Sequence, residues 1–158
     1  MSRPSWDTYF MELAKKVATR TTCYSPPKGA VIIINQKVIS TGYSGAPSHL
    51  KECRDDIGYC RRKEAGYASG EGLHICKAAH AEANAIVLAA RNGSPTDGAT
   101  LYTTHLPCCD CTKLIINAGI KEVIYSEDYP GSEAKEWFAE AGVSVRLYSE
   151  MIEVKIID

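Results

Sequence analysis

The chain has 158 residues, 45% hydrophobic and 23% charged, enough to bury a core and short enough for about one domain. Eighteen Lys and Arg against nineteen Asp and Glu leave a formal charge of −1, which disfavours a protein that tracks a nucleic-acid polymer. No apolar run reaches the length of a membrane span and the opening MSRPSWDTYF lacks a signal-peptide core, so a cytoplasmic protein with no membrane partner is expected.

In chain order, Ser5 can cap a first helix over about 5–19, where Trp6, Tyr9, Phe10, Leu13 and Val17 recur at helical spacing. The β-branched run 29–34 (GAVIII), the turn pair Asn35-Gln36 and the β-prone run 37–43 read as a hairpin. Residues 44–79 carry glycine, proline and charge with little periodicity. Such a stretch is too long for an ordinary connector, so it is either disordered or ordered by something other than a core. From His80 the pattern alternates. A helix stopped by Gly93 leads to a strand at ATLYTT, a helix over 108–118 closed by Gly119, a strand at EVIYSE, a helix over 132–141 and a strand at VSVRLY. Helices between strands imply parallel crossovers, hence an α/β chain in three α/β/α layers with a mixed sheet of about five strands. The closing MIEVKIID reads as an edge strand or an interface arm, and no internal repeat or low-complexity linker is present.

Seven cysteines, at 23, 53, 60, 76, 108, 109 and 111, point to metal binding or catalysis before disulfides, and an odd count cannot close into intrachain pairs. The strongest constellation is His80-Ala81-Glu82 followed by Pro107-Cys108-Cys109-Asp110-Cys111. Cys108 and Cys111 stand three apart at the start of a helix, so both sulfurs can grip one ion, and His80 supplies a third donor from the start of another helix. Three N/S donors with an open fourth position are the arrangement of a catalytic zinc. Glu82 lies two residues past the histidine, where a carboxylate can move protons. Cys109, about 100° round the helix from its neighbours, reads as a packing residue. Singly, His80 would be a packed core residue and Cys-x-x-Cys a redox pair or a zinc-ribbon half; together they match the His-x-Glu…Pro-Cys-x-x-Cys signature of zinc nucleobase deaminases.

Beyond that signature, RPSWDTYFM at the N-terminus, TTC at 21–23, GAVII at 29–33, TGYSGAP at 41–47, HAEANAI at 80–86, AGIKEVIY, and SEDY at 126–129 resemble the deoxycytidylate (dCMP) deaminase family. The resemblance covers nearly the whole chain. It implies a cytidine-deaminase-like fold in a single zinc-dependent domain over 1–158, with a metal-pinned insertion at about 44–79. It further implies zinc on His80, Cys108 and Cys111, proton transfer by Glu82, attack of water at C4 of cytosine, and loss of ammonia to leave dUMP, the precursor of dTMP. The Ala81 N–H would hold the pyrimidine O2, and Tyr125 and Tyr129 would line the pocket or meet the 5′-phosphate; core packing accounts equally well for Tyr125. The resemblance also implies a second, structural zinc on Cys23, Cys53, Cys60 and Cys76, with His74 able to replace one of them, against the plainer account of four buried thiols. A homo-oligomer follows, with a hexamer as the family's suggestion.

Two departures stand out. The family's Gly-Tyr-Asn-Gly loop, linked to dCTP and dTTP effectors, carries Ser44 here, which puts that regulation in doubt. After Cys23, where relatives carry a basic residue, this chain has Tyr24-Ser25-Pro26-Pro27. Phosphate recognition would then be rebuilt around Lys28 or the run Arg61-Arg62-Lys63, whose alternative reading is a solvated basic face. The rival functions are deamination of dCTP or of another cytosine compound, and a non-catalytic zinc-stabilised module; Glu82 discriminates against the module, which has no use for a carboxylate beside the ion.

Overall fold

The structure, a computed structural model, describes residues 3–129 and 133–149. Helix α1 (Trp6–Ala18) leads into a hairpin of β1 (Gly29–Ile34) and β2 (Lys37–Tyr43). After a long irregular segment come α3 (Ala81–Arg91), β3 (Thr100–His105), α4 (Cys109–Asn117), β4 (Glu122–Glu127), α5 (Ala134–Glu140) and β5 (Ser144–Leu147). The irregular segment contains a π-turn at Cys53–Ile57, a one-turn helix α2 (Arg61–Glu64) and a 3-10 turn at Leu73–Ile75. The closing MIEVKIID and the expected helix start at 132 lie outside the described residues.

The sheet runs β2-β1-β3-β4-β5. β1 is antiparallel to both β2 and β3, whereas β3, β4 and β5 are parallel, so the expected mixed five-stranded sheet is present. Asn35 and Gln36 both take positive φ, the backbone of a two-residue hairpin turn matched to strand twist. Alternation along the strands divides the core in two. Ala30, Ile32, Leu101, Val123 and Tyr125 face α3, α4 and α5, while Val31, Ile33, Tyr102 and Ile124 face α1. These are the three layers.

In α1 the Ser5 hydroxyl accepts from the Thr8 N–H at 3.1 Å. The stripe read from the sequence is rotated, however: Phe10, Met11, Ala14 and Ala18 are buried, and Trp6 and Tyr9 are 42% and 47% exposed. The cause is close approach. Small residues on the inner face let the helix backbone sit on Gly29, where a Cβ would strike Ala14 and Ala18, so Trp6 and Tyr9 move to the rim while Phe10 stays in the core. A similar approach sets α3: a Cβ on Gly42 of β2 would collide with backbone atoms of Ala81 and Ala85. The Ser40 hydroxyl donates to the Ala85 carbonyl, and the Asn84 amide donates to the Tyr43 carbonyl at 2.8 Å. Thus β2 fixes the helix whose first turn carries the chemistry. Among the described residues, no helix is long and apolar enough to cross a membrane.

Candidate metal centre and active site

His80 is the N-cap residue of α3 and Cys108 that of α4, and neither end is closed by a capping side chain. Both helices therefore aim uncapped N–H groups, with their partial positive charge, at one place. There the His80 Nδ1 lies 3.3 Å from the Cys108 Sγ and 3.5 Å from the Cys111 Sγ. All three ligand atoms fall within 4.8 Å of one another, and among the described residues this is the one such His/Cys/Asp/Glu group. The Cys111 thiol, hydrogen-bonded to Cys108, lowers the Cys108 pKa, and His80 adds to the effect. The same bond raises Cys111, and the bond to Cys108 also raises His80.

Glu82, in the first turn of α3, is 4% exposed and accepts from the Thr103 hydroxyl at 3.0 Å. Its charge and a hydrogen bond both act on Cys111, so a buried carboxylate adjoins a thiol pair with no Lys or Arg in ion-pair contact among the described residues. Such a concentration of anionic donors is costly without a cation. Tetrahedral zinc with Zn–S of about 2.3 Å and Zn–N of about 2.0 Å puts S and N about 3.5 Å apart, close to the spacings seen. The donor set therefore fits zinc.

A cavity of about 640 Å³ opens over this centre, with His80 and Cys108 in its wall. Tyr129 lines it, under the Lys28 ammonium at 4.6 Å from the ring centroid. Tyr125 is not among the lining residues: it is 4% exposed among the α3–α5 core residues, and its hydroxyl bonds to Asp128 and Lys135. Ala81 is buried as the first residue of α3, where its N–H has no intrahelical acceptor. Cys109 is half-buried and lines the cavity, outside the ligand group. Of the basic run only Arg62 reaches the cavity; Arg61 and Lys63 are exposed, and Lys63 donates to the Tyr24 carbonyl at 3.0 Å.

Two residues escaped the sequence reading. Thr103 orients Glu82, and His105 lines the cavity between the Thr104 hydroxyl at 3.0 Å and the Glu127 carboxylate at 3.4 Å. Burial, then the Lys28 charge, push the His105 pKa down. The available signal was its place at the carboxyl end of a parallel strand, where α/β sheets build their sites.

A family model described as the cytidine and deoxycytidylate deaminase zinc-binding region matches residues 4–127. The chain belongs to this family. It is 40% identical to the deoxycytidylate deaminase of Saccharomyces cerevisiae over 99% of its own length, but spans only 49% of that relative. It is 39% identical to the deoxycytidylate deaminase of Mycobacterium phage D29 over 81% of this chain and 99% of the phage protein. A solved dCMP deaminase from cyanophage S-TIM5, in complex with dCMP and dUMP, superposes with a TM-score of 0.74 at 27% identity, covering 94% of this chain and 100% of that one.

This zinc-deaminase family member holds its other four spaced cysteines differently. Cys23, Cys60 and Cys76 all act electrostatically on Cys53, whose pKa is raised first by burial and then by these neighbours. The four thiols therefore share one neighbourhood, yet they do not reach the mutual 4.8 Å of the His80 group. His74 is exposed, edge-on to the Tyr67 ring at 5.9 Å, and does not figure among the groups acting on Cys53.

Proposed function

We propose that this chain is a zinc-dependent deaminase that hydrolyses dCMP to dUMP and ammonia, so providing the precursor of dTMP. The observation that carries this reading is the convergence of His80, Cys108 and Cys111 beside buried Glu82 at the wall of a nucleotide-sized cavity. Zinc held by those three side chains supplies a Lewis acid that makes a water acidic near neutral pH. Glu82 takes a proton from the water that adds to C4 and passes it to N3, then takes the remaining proton of the new C4 hydroxyl and delivers it to the 4-amino group as the C4–N bond breaks, so that the C4 carbonyl forms and ammonia leaves. Thr103 keeps the carboxylate oriented for both transfers. The Ala81 N–H donates to O2, and His105 and Tyr129 wall the base and sugar from solvent. Incubation with dCMP, dCTP and deoxycytidine, followed by ammonia release, tests the assignment: dCMP should turn over, and turnover of deoxycytidine with none of dCMP would overturn it.

The rest of the reading concerns assembly. The whole chain, 1–158, forms one domain that works in the cytoplasm, with 44–79 pinned by a second, structural zinc on Cys23, Cys53, Cys60 and Cys76. The thiols' shared neighbourhood supports that site, and two zinc equivalents per chain by elemental analysis would test it. A homo-oligomer, a hexamer by family resemblance, is supported by Val87, Leu88 and Leu114, which stay exposed on the adjoining helices α3 and α4. Light scattering measures the number. Control by dCTP or dTTP is absent in this reading, because the Ser44 side chain is buried and bonded to the Thr21 hydroxyl at 2.8 Å rather than offered to an effector.

A further inference from the structure

We infer that the 5′-phosphate of the substrate is held between Lys28 and Arg62, two cations brought to one cavity from segments 34 positions apart in the chain. This rests on the deaminase reading of the same cavity and adds what selects a nucleotide over a nucleoside there.

Charge accounting singles these two residues out. Three carboxylates line the cavity, and each already has a basic neighbour: Glu127 faces His105 at 3.4 Å, Asp128 faces Lys135 at 2.8 Å and Asp110 faces Lys113 at 3.1 Å. Lys28 and Arg62 line it too, and neither is paired with a carboxylate among the described residues. With its pKa pushed down, His105 leaves the Glu127 charge standing, so the two unpaired cations give the cavity wall a net positive charge, the sign a phosphate monoester dianion needs.

Geometry agrees. The Arg62 guanidinium spends one terminal nitrogen on the Ala68 carbonyl at 2.7 Å, but its Nε is buried with no acceptor. The enclosed Nε is out of a ligand's reach, but a guanidinium carries five N–H donors, and the terminal ones not spent on Ala68 remain for an anionic oxygen in the cavity. Lys28 is pinned over the Tyr129 ring, whose hydroxyl reaches the backbone at Gly70 of the long irregular segment. The Tyr129 ring thus holds the Lys28 ammonium at the cavity wall. Arg61 and Lys63, neighbours in the same run, are exposed and take no part.

The test compares dUMP with deoxyuridine by calorimetry, and dCMP with deoxycytidine by ammonia release, in the wild type and in Lys28→Met, Lys28→Arg, Arg62→Met and Arg61→Met. The ratio of dUMP to deoxyuridine affinity should fall about 10- to 100-fold in Lys28→Met and in Arg62→Met, as expected for lost hydrogen bonds to a charged group. The kcat/KM ratio of dCMP to deoxycytidine should fall in parallel, Lys28→Arg should restore most of both, and Arg61→Met should change neither. A ratio that survives in Lys28→Met and Arg62→Met places the phosphate elsewhere and overturns this inference alone, whereas a wild type that deaminates no cytosine compound overturns the deaminase reading and this inference with it.

Discussion

The two cysteine groups of this chain differ in what holds them. His80, Cys108 and Cys111 sit at the first turns of α3 and α4, helices packed on a five-stranded sheet, and their ligand atoms already converge. Cys23, Cys53, Cys60 and Cys76 sit in a loop and an irregular segment of short turns, near one another but not converged. A scaffold that arranges its donors in advance leaves the ion free to do chemistry. Where donors lie on chain with little core of its own, the ion's binding energy must itself serve as folding energy.

Substitution of the proton carrier should give the largest effect. Glu82→Gln is expected to lower kcat by about 10²- to 10⁴-fold while zinc at the His80 site, measured by elemental analysis, is kept; near-normal turnover would break the scaffolded side of the comparison. Cys108→Ala should lose that zinc and the activity, and lower Tm by less than Cys53→Ala does, because the sheet and helices hold the fold without the ion and only its binding energy is lost.

Cys53→Ala sharpens the other side. If the proposed second zinc orders 44–79, losing it should lower Tm by more than about 5 °C and raise amide exchange within that segment, with deamination affected only through the loosening. Equal thermal shifts in the Cys53 and Cys108 variants would erase the distinction between the two groups.

Gly42→Ala probes the scaffold itself. The new methyl must push α3 off β2, at a cost of about 1–3 kcal/mol by urea denaturation, and zinc affinity should weaken because His80 moves with the helix.

The smallest effect concerns the ion pair that ties α1 to the far edge of the sheet. Arg146 lies 2.7 Å from Asp7 and also bonds Glu122, and the Tyr102 hydroxyl donates to Asp7 at 2.7 Å. The Arg146 guanidinium, with help from Tyr102, holds the Asp7 carboxyl below its usual value. A carboxyl whose folded pKa lies below its unfolded one stabilises the fold above the unfolded value, about 3.9, and loses that contribution as pH falls through the folded value. Both partners are partly exposed, so the gain is at most about 1 kcal/mol. The gap in Tm between wild type and Asp7→Asn should therefore be small at pH 7 and close below about pH 4, while activity stays unchanged.

Local pattern was enough for most elements. The hairpin over 29–43 was legible because β-branched runs flank a two-residue turn, and α3 and α4 because donors, apolar spacing and a closing glycine coincide. The register of α1 was not. Trp6 and Tyr9 are the larger apolar residues, but helix-to-sheet distance is set by Ala14, Ala18 and Gly29, and that pairing joins residues distant in sequence. Tyr125 was ambiguous for the same reason, since a tyrosine on a central strand faces core or cavity according to which helices cover it.

The candidate metal ligands and the carboxylate proposed to carry protons could be singled out from sequence because their spacing is short-range: two positions separate His80 from Glu82, and three separate Cys108 from Cys111, so one helical turn does the positioning. What needed the tertiary structure was everything joined across the chain. Only the packed fold brought His80 to the two sulfurs, set Thr103 on Glu82, placed His105 in the cavity wall and chose Arg62 over Arg61 and Lys63. Short-range geometry follows from the helix and strand repeats, whereas which side chain meets which cavity depends on how the layers close over one another.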